Sequence, residues 1–371
     1  MRPLVKICRT STRCWIVAAA VAAACREPKP IAPPPPSNAG VAPRVTPTLT
    51  REDRMALAQA VALPDGVLAR TAAGNLVRYT TGLELVADAK VEPRVASIAV
   101  AGPQAYAVLR DGQVVRVDES LAIDRITTIE QGDPKWLGIH GDELLVFSIT
   151  SGSRARLDRI ELSDRKITSI EVSAGNSEAS GMGQPSTFLL DRDRVWFGID
   201  AGEWGGATGR IDLSTNSVSM IQDDPGPVFG IVTAPNGRVW IYGGLVHMGA
   251  TSGFISEIVG TKAIKRFTRE ALGVEKERAT DPEALPIVKA ARHGTGLRIL
   301  VWHELFDVST DLATWTKVAT LEAREHRGRP DSVGNYPAVV SMIDAGGTTV
   351  LATVKDGLFI LRDGKLAPAS P

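Results

Sequence analysis

Past Cys25 the sequence contains no cysteine: Cys8, Cys14 and Cys25 are the three in the chain. Disulfides and thiolate metal sites are therefore excluded from everything downstream. Net charge is lacking too. The 42 basic residues balance 42 acidic ones, which argues against nucleic acid or an anionic membrane surface as partner. Histidine is scarce, at 5 residues with no His-x-His or His-x-x-x-His spacing, so no metal site is indicated and no cofactor is expected. No apolar run approaches the ~20 residues that cross a bilayer as a helix.

What is present begins with a leader. Arg2, Lys6, Arg9 and Arg13 precede an apolar run, Trp15–Ala24, and then Cys25. A basic start, ~7–15 apolar residues and small residues at the cut make a secretory signal, so Met1–Ala24 is read as a signal peptide. Without it, 38 basic residues face 42 acidic ones. Ala22-Ala23-Ala24-Cys25 resembles the lipobox of bacterial lipoproteins, with Ala22 where leucine is usual. That resemblance implies that Cys25 is the lipidated first residue of the mature chain. Residues 25–50 then read as a disordered linker, with Pro28, Pro30, Pro33, Pro34, Pro35, Pro36, Pro43 and Pro47. Such spacers extend by ~3.1 Å per residue. By resemblance to lipoprotein sorting, Arg26 is not the aspartate that retains such proteins at the inner membrane, so an outer-membrane destination is expected.

From Leu63 onward, short alternating or apolar runs are punctuated by Gly, Asp and Asn turns, a strand signature. One unit recurs, clearest in its second strand: Val67–Arg70, Ala105–Val108, Leu144–Phe147, Val195–Gly198, Val239–Tyr242, Ile299–Trp302 and Val350–Thr353. The starts lie 38 to 60 residues apart, and a four-stranded propeller blade takes ~40–45. The expectation is an all-β chain whose residues 51–371 form a single β-propeller of seven four-stranded blades. Six or eight blades, and the manner of ring closure, stay open. Thr50–Gln59 reads as a capped helix, leaving Val61–Pro64 as the first inner strand. The pattern resembles bacterial propellers at large, with no Gly-His…Trp-Asp or kelch double-glycine repeat. Ser309–Trp315 resembles a degenerate Asp-box, the hairpin between outer strands of sialidase-like propellers, with Ala313 where glycine is usual. That resemblance implies a structural turn.

With strands labelled a to d from the axis outward, the a–b and c–d turns read as short. The long connections, Thr150–Ser153, Ser173–Pro185, Asp200–Gly209, Gly243–Gly253, Arg269–Leu285 and Ala323–Tyr336, are all b–c or d–a. Antiparallel strands put both kinds on one face, and loops displayed by a rigid scaffold carry function. The candidate binding residues there are Asp200, Glu203, Trp204, His247, His303, Arg327, Arg329, Asp331 and Tyr336. Trp204 offers a stacking surface, and the arginines a bidentate grip on carboxylate. Arg269–Ala284 reads as a surface helix, and His140 and His293, near a–b turns, as structural. No catalytic residue is assigned.

Two functions fit. One is a monomeric, envelope-anchored binding or scaffold protein for a protein, peptide or glycan. The other is a glycosidase-like or lyase-like hydrolase with a carboxylate pair, ~5–5.5 Å apart if retaining and ~6.5–9.5 Å if inverting. Every cysteine belongs to the leader or the anchor. Cys25→Ser should therefore give a soluble periplasmic protein with an unchanged melting temperature; a variant that stays on the membrane, or unfolds, contradicts this modular reading.

Overall fold

The second strand of each unit alternates strictly, and its two faces bury against different neighbours. In Gly66–Thr71, Val67 and Ala69 pack to one side and Leu68 to the other. The same split recurs in Leu144 and Val146 against Leu145 and Phe147, and in Val239 and Ile241 against Trp240 and Tyr242. A strand apolar on both faces needs a sheet-like neighbour on each side. A ring of radial sheets provides that.

A computed structural model describes residues 43–369 apart from 131, 152–153, 174–183, 203–204, 224–225, 248–249, 272–284 and 323–338. After β1 (Arg44–Pro47) and α1 (Arg51–Met55), blade 1 is β2 to β5 (Leu57–Leu63, Gly66–Thr71, Leu76–Thr80, Leu85–Glu92). Blade 2 is β6 to β9 (Val95–Ala101, Gln104–Leu109, Gln113–Val117, Ile123–Thr128). Blade 3 is β10 to β13 (Asp133–His140, Glu143–Ser151, Arg154–Glu161, Ile167–Ser173). Blade 4 is β14 to β17 (Pro185–Asp191, Arg194–Asp200, Gly206–Asp212, Ser217–Met220). Blade 5 is β18 to β21 (Val228–Thr233, Val239–His247, Ala250–Val259, Lys262–Ala271). Blade 6 is β22 to β25 (Ile287–His293, Gly296–Val301, Glu304–Val308, Trp315–Thr320). Blade 7 is β26 to β29 (Val339–Ala345, Thr348–Thr353, Leu358–Arg362, Lys365–Pro368).

Each blade is an antiparallel meander, and its inner strand abuts the inner strands of both neighbours. The chain is a seven-bladed β-propeller. Seven apolar clusters among the described residues each span one seam between neighbouring blades. The ring closes without strand exchange. Blades 1 and 7 keep their own strands and meet through a shared cluster that includes Leu57, Val67, Val350 and Ile360.

Several details differ from the sequence reading. Thr50 caps α1 by accepting from the Asp53 amide at 3.1 Å, but the helix ends at Met55 and the inner strand begins at Leu57, not Val61. Leu57 and Ala60 are buried in the closing seam, which only the extended pairing with β3 achieves. Arg44–Pro47, read as spacer, adds a fifth, outermost strand to blade 1 beside β5. An edge position tolerates proline there. The supposed b–c loops at Thr150–Ser153 and Gly243–Gly253 are strand wherever they are described: β11 runs to Ser151, β19 to His247 and β20 starts at Ala250. Backbone pairing needs no apolar side chains, so polarity did not mark the strand ends. For Arg269–Ala284, β21 continues through Ala271, and 272–284 lie outside the described residues. The Asp-box-like segment is the c–d turn of blade 6. Asp311 accepts from Ser309 Oγ at 2.5 Å and the Ala313 amide at 3.1 Å, and Trp315 packs on Phe267.

The face opposite the long connections is tied by arginines in strand c. Arg78 donates to the Glu119 carbonyl, Arg159 to the Leu213 carbonyl and Arg210 to the Gly260 carbonyl, each in the next blade. These arginines pair in register with Leu68, Leu145 and Trp196, equivalent strand-b positions. On the inner strands, the Ala60 amide donates to Ser341 Oγ at 2.9 Å across the closing seam, and the Ile98 amide to Gln59 Oε1 at 3.0 Å. Ser341→Ala and Gln59→Ala each leave a buried amide without its partner and should cost about 1–3 kcal/mol, read as a lower urea midpoint at unchanged m-value.

Candidate functional site

The inner strands share one irregularity. Each a–b pairing skips a residue near the start of strand a: between Leu57 and Gln59, Val95 and Ser97, Pro134 and Trp136, Pro185 and Thr187, Val228 and Gly230, Ile287 and Lys289, and Val339 and Ser341. Such bulges re-aim the side chain that follows. In six blades the residue after the skip has a structural job. Gln59, Ser97 and Ser341 accept from inner-strand amides of the next blade. Trp136 stacks on Phe188 at 5.5 Å, and the Thr187 methyl lies over Gly198. Gly230 leaves room for the Tyr242 hydroxyl, which bonds the Ala290 backbone; a Cβ there would meet the Tyr242 oxygen at 2.0 Å.

Blade 6 breaks the pattern with Lys289. An ammonium can only donate, so it cannot accept from an inner-strand amide as Gln59, Ser97 and Ser341 do. It joins no ion pair or hydrogen bond with any described residue, and burial alone pushes its amine down to about 8. A half-buried lysine with no partner among the described residues is a cost that the fold does not need.

Lys289 lines a cavity of about 430 Å³ with Val228, Phe229, Val288, Val339, Ser186, Asp200 and Gly202. Six of these eight come from the start of strand a in blades 4 to 7, so the cavity is the mouth of the axial channel. It opens on the face where d–a connections enter strand a. Asp200 ends strand b of blade 4, is exposed, and accepts from the Gly202 amide at 2.9 Å through Oδ1. Its other oxygen has no described partner. The floor between the two charges is apolar.

Of the sequence candidates, Asp200 lines this cavity. His303 forms the b–c turn of blade 6 and does not line it; its Nδ1 is buried without a described partner, and burial holds its pKa below the usual histidine range. The His247 backbone pairs with Ala250 in the β19–β20 hairpin, and its side chain lies outside the described residues. So do Cys25, Glu203, Trp204, Arg327, Arg329, Asp331 and Tyr336. Sequence reasoning missed Lys289. The signal was a lone cation inside the apolar run Ile287-Val288-Lys289-Ala290. It also missed Arg70, whose Nε is buried without a described partner and whose pKa burial and Arg110 lower to about 10.

A second cavity, about 450 Å³, lies at the closing seam beside α1, with Arg54, Tyr79 and Leu358 among its walls. Arg54 is already paired with Asp88 at 2.8 Å, and burial pushes the Tyr79 phenol up to about 12. Its chief cation is spent on the fold.

No protein-family model and no curated protein sequence matches this chain. Solved structures do. A catalytically inactive virginiamycin B lyase from Staphylococcus aureus, crystallised with quinupristin, has a TM-score of 0.55 at 12% identity, covering 85% of this chain and 98% of that one. U3-55K gives 0.56 at 10% identity over 83% and 91%. The extracellular domain of the two-component system protein BT4673 from B. thetaiotaomicron gives 0.54 at 13% identity, over 86% of this chain and 39% of that one. At these identities the likeness is one of fold alone, and fold does not assign function.

Lys289 offers a direct measurement. With a native pKa of about 8 against ~10.4 unfolded, the amine is charged in both states at neutral pH and its full burial cost is present. Between those values the unfolded chain holds more protons, so native stability recovers as pH rises. Lys289→Met should therefore be more stable than the parent at pH 7 by roughly 1–3 kcal/mol. That advantage should shrink toward pH 10. Equal stability at pH 7 would mean that the amine is solvated.

Proposed function

We propose that this propeller is a binding module of the bacterial envelope that takes its ligand at the axial mouth. In this reading lipid on Cys25 anchors it to the outer membrane through the proline-rich spacer. One contrast carries the proposal. On the opposite face, several charged side chains are spent on the fold: Arg78, Arg159 and Arg210 bridge blades, Arg298 pairs with Asp307 at 2.7 Å, and His140 meets Asp193 at 3.0 Å. At the mouth, Lys289 and one oxygen of Asp200 have no partner among the described residues, beside a cavity of about 430 Å³, within the ~300–1,000 Å³ range of small-ligand sites.

The hydrolase reading has less to rest on. It requires two carboxyl groups facing one bond, and among the described residues Asp200 is the one acid lining the cavity. A ligand held between a cation, a carboxylate and apolar walls needs no such pair.

The test is capture from envelope extracts by the immobilised mature chain. Ser186→Trp, which blocks the mouth, should abolish capture, while Asp193→Lys on the opposite face should leave it intact. Capture lost with Asp193→Lys and retained with Ser186→Trp would assign binding to the wrong face here and overturn the proposal.

A further inference from the structure

The axial cavity holds two opposite charges that do not meet. Lys289 stands at the third position of its inner strand and Asp200 at the outer end of strand b, one blade pair away. No ion pair joins them, and no carboxylate acts on the Lys289 amine among the described residues. Val228, Phe229, Val288 and Val339 line the space between.

We infer that this cavity binds a zwitterion with an apolar body, a peptide of two or three residues with free ends. The carboxylate docks on Lys289 and the ammonium on Asp200. This rests on the reading that ligand enters at the axial mouth, and it adds the ligand's chemistry. A simple anion would satisfy Lys289 but meet the Asp200 carboxylate; a simple cation would do the reverse. A neutral sugar would leave the half-buried ammonium without a counter-charge, where charge-assisted bonds are the strong ones. The apolar walls favour hydrophobic side chains. A cavity of about 430 Å³ has room for two or three residues, which an extended backbone spaces ~3.3–3.6 Å apart.

Orientation follows from depth. Lys289 is half-buried and Asp200 is exposed, so the carboxylate enters first and the amino end stays at the rim. Lys289 also has an apolar neighbourhood in which an ion pair is little screened, whereas Asp200 works close to water. The carboxylate is therefore the stronger determinant of binding.

Calorimetric titration of the mature Cys25→Ser chain tests this, with valylphenylalanine as probe beside its N-acetyl and C-terminal amide forms. The free dipeptide is expected to bind, the amide at least tenfold more weakly, and the N-acetyl form several-fold more weakly. Lys289→Met should erase the difference between dipeptide and amide while leaving that between dipeptide and N-acetyl form. Asp200→Asn should do the converse. Equal binding of all three probes, or variants that leave the preferences unchanged, overturns the assignment. If none binds at millimolar concentration while envelope capture through the mouth persists, the zwitterion inference fails and the binding face stands. If the dipeptide binds as expected while Ser186→Trp leaves envelope capture intact, the proposed function fails and this site stands.

Discussion

Everything in this ring depends on the apolar seam between neighbouring blades. A lone four-stranded sheet with two apolar faces has no stable place in water. Here strand b of every blade sends alternate residues into the seam before it and the seam after it, as Leu145 and Phe147 do opposite Leu144 and Val146. No blade buries its own core. The last seam is made of the same material as the other six, which is why blades 1 and 7 close side by side without exchanging a strand. A chain with no cysteine past Cys25 can hold its fold this way because the seams together form one large buried area.

Seam packing is apolar and indifferent to direction, so the two faces of the disc can be put to different uses. On one, arginines of strand c reach carbonyls of the next blade and lock the outer strands in register. On the other, a bulge at the start of each inner strand turns one side chain toward the neighbouring blade. Six blades use that position for a latch, a stack or a fill. The remaining one, blade 6, uses it for Lys289, which cannot accept from an inner-strand amide and gives the axial cavity a cation. Departures from an internal rule mark places where the sequence serves something other than folding.

The blades were readable because their signal is local. Seven second strands, read as short apolar or β-branched runs between turn residues, fall in strands b of the structure, with Trp302 one residue past the end of its strand, and the Asp-box-like turn falls between the outer strands where the resemblance put it. Strand ends were not readable. Ser151, His247 and Ala271 extend their strands through polar sequence, because the ladder is made by backbone groups common to all residues. The inner strand of blade 1 was misplaced for a related reason: Leu57 and Ala60 belong to a strand only when blade 7 is there to cover them. The arginine repeat at 78, 159 and 210 was also missed, since its partners are carbonyls, which leave no trace in residue type.

By itself, then, the sequence determined an all-β chain, its repeated unit and the positions of its seven second strands, since a short apolar run bounded by turn residues is written in consecutive residues. It also named Asp200. Only the tertiary structure decided that Asp200 and Lys289 share one cavity. They lie in different blades, on strands separated by 89 positions, and nothing local relates them. Their meeting follows from closure of the ring, which brings the first residues of the inner strands of blades 4 to 7 around a common axis.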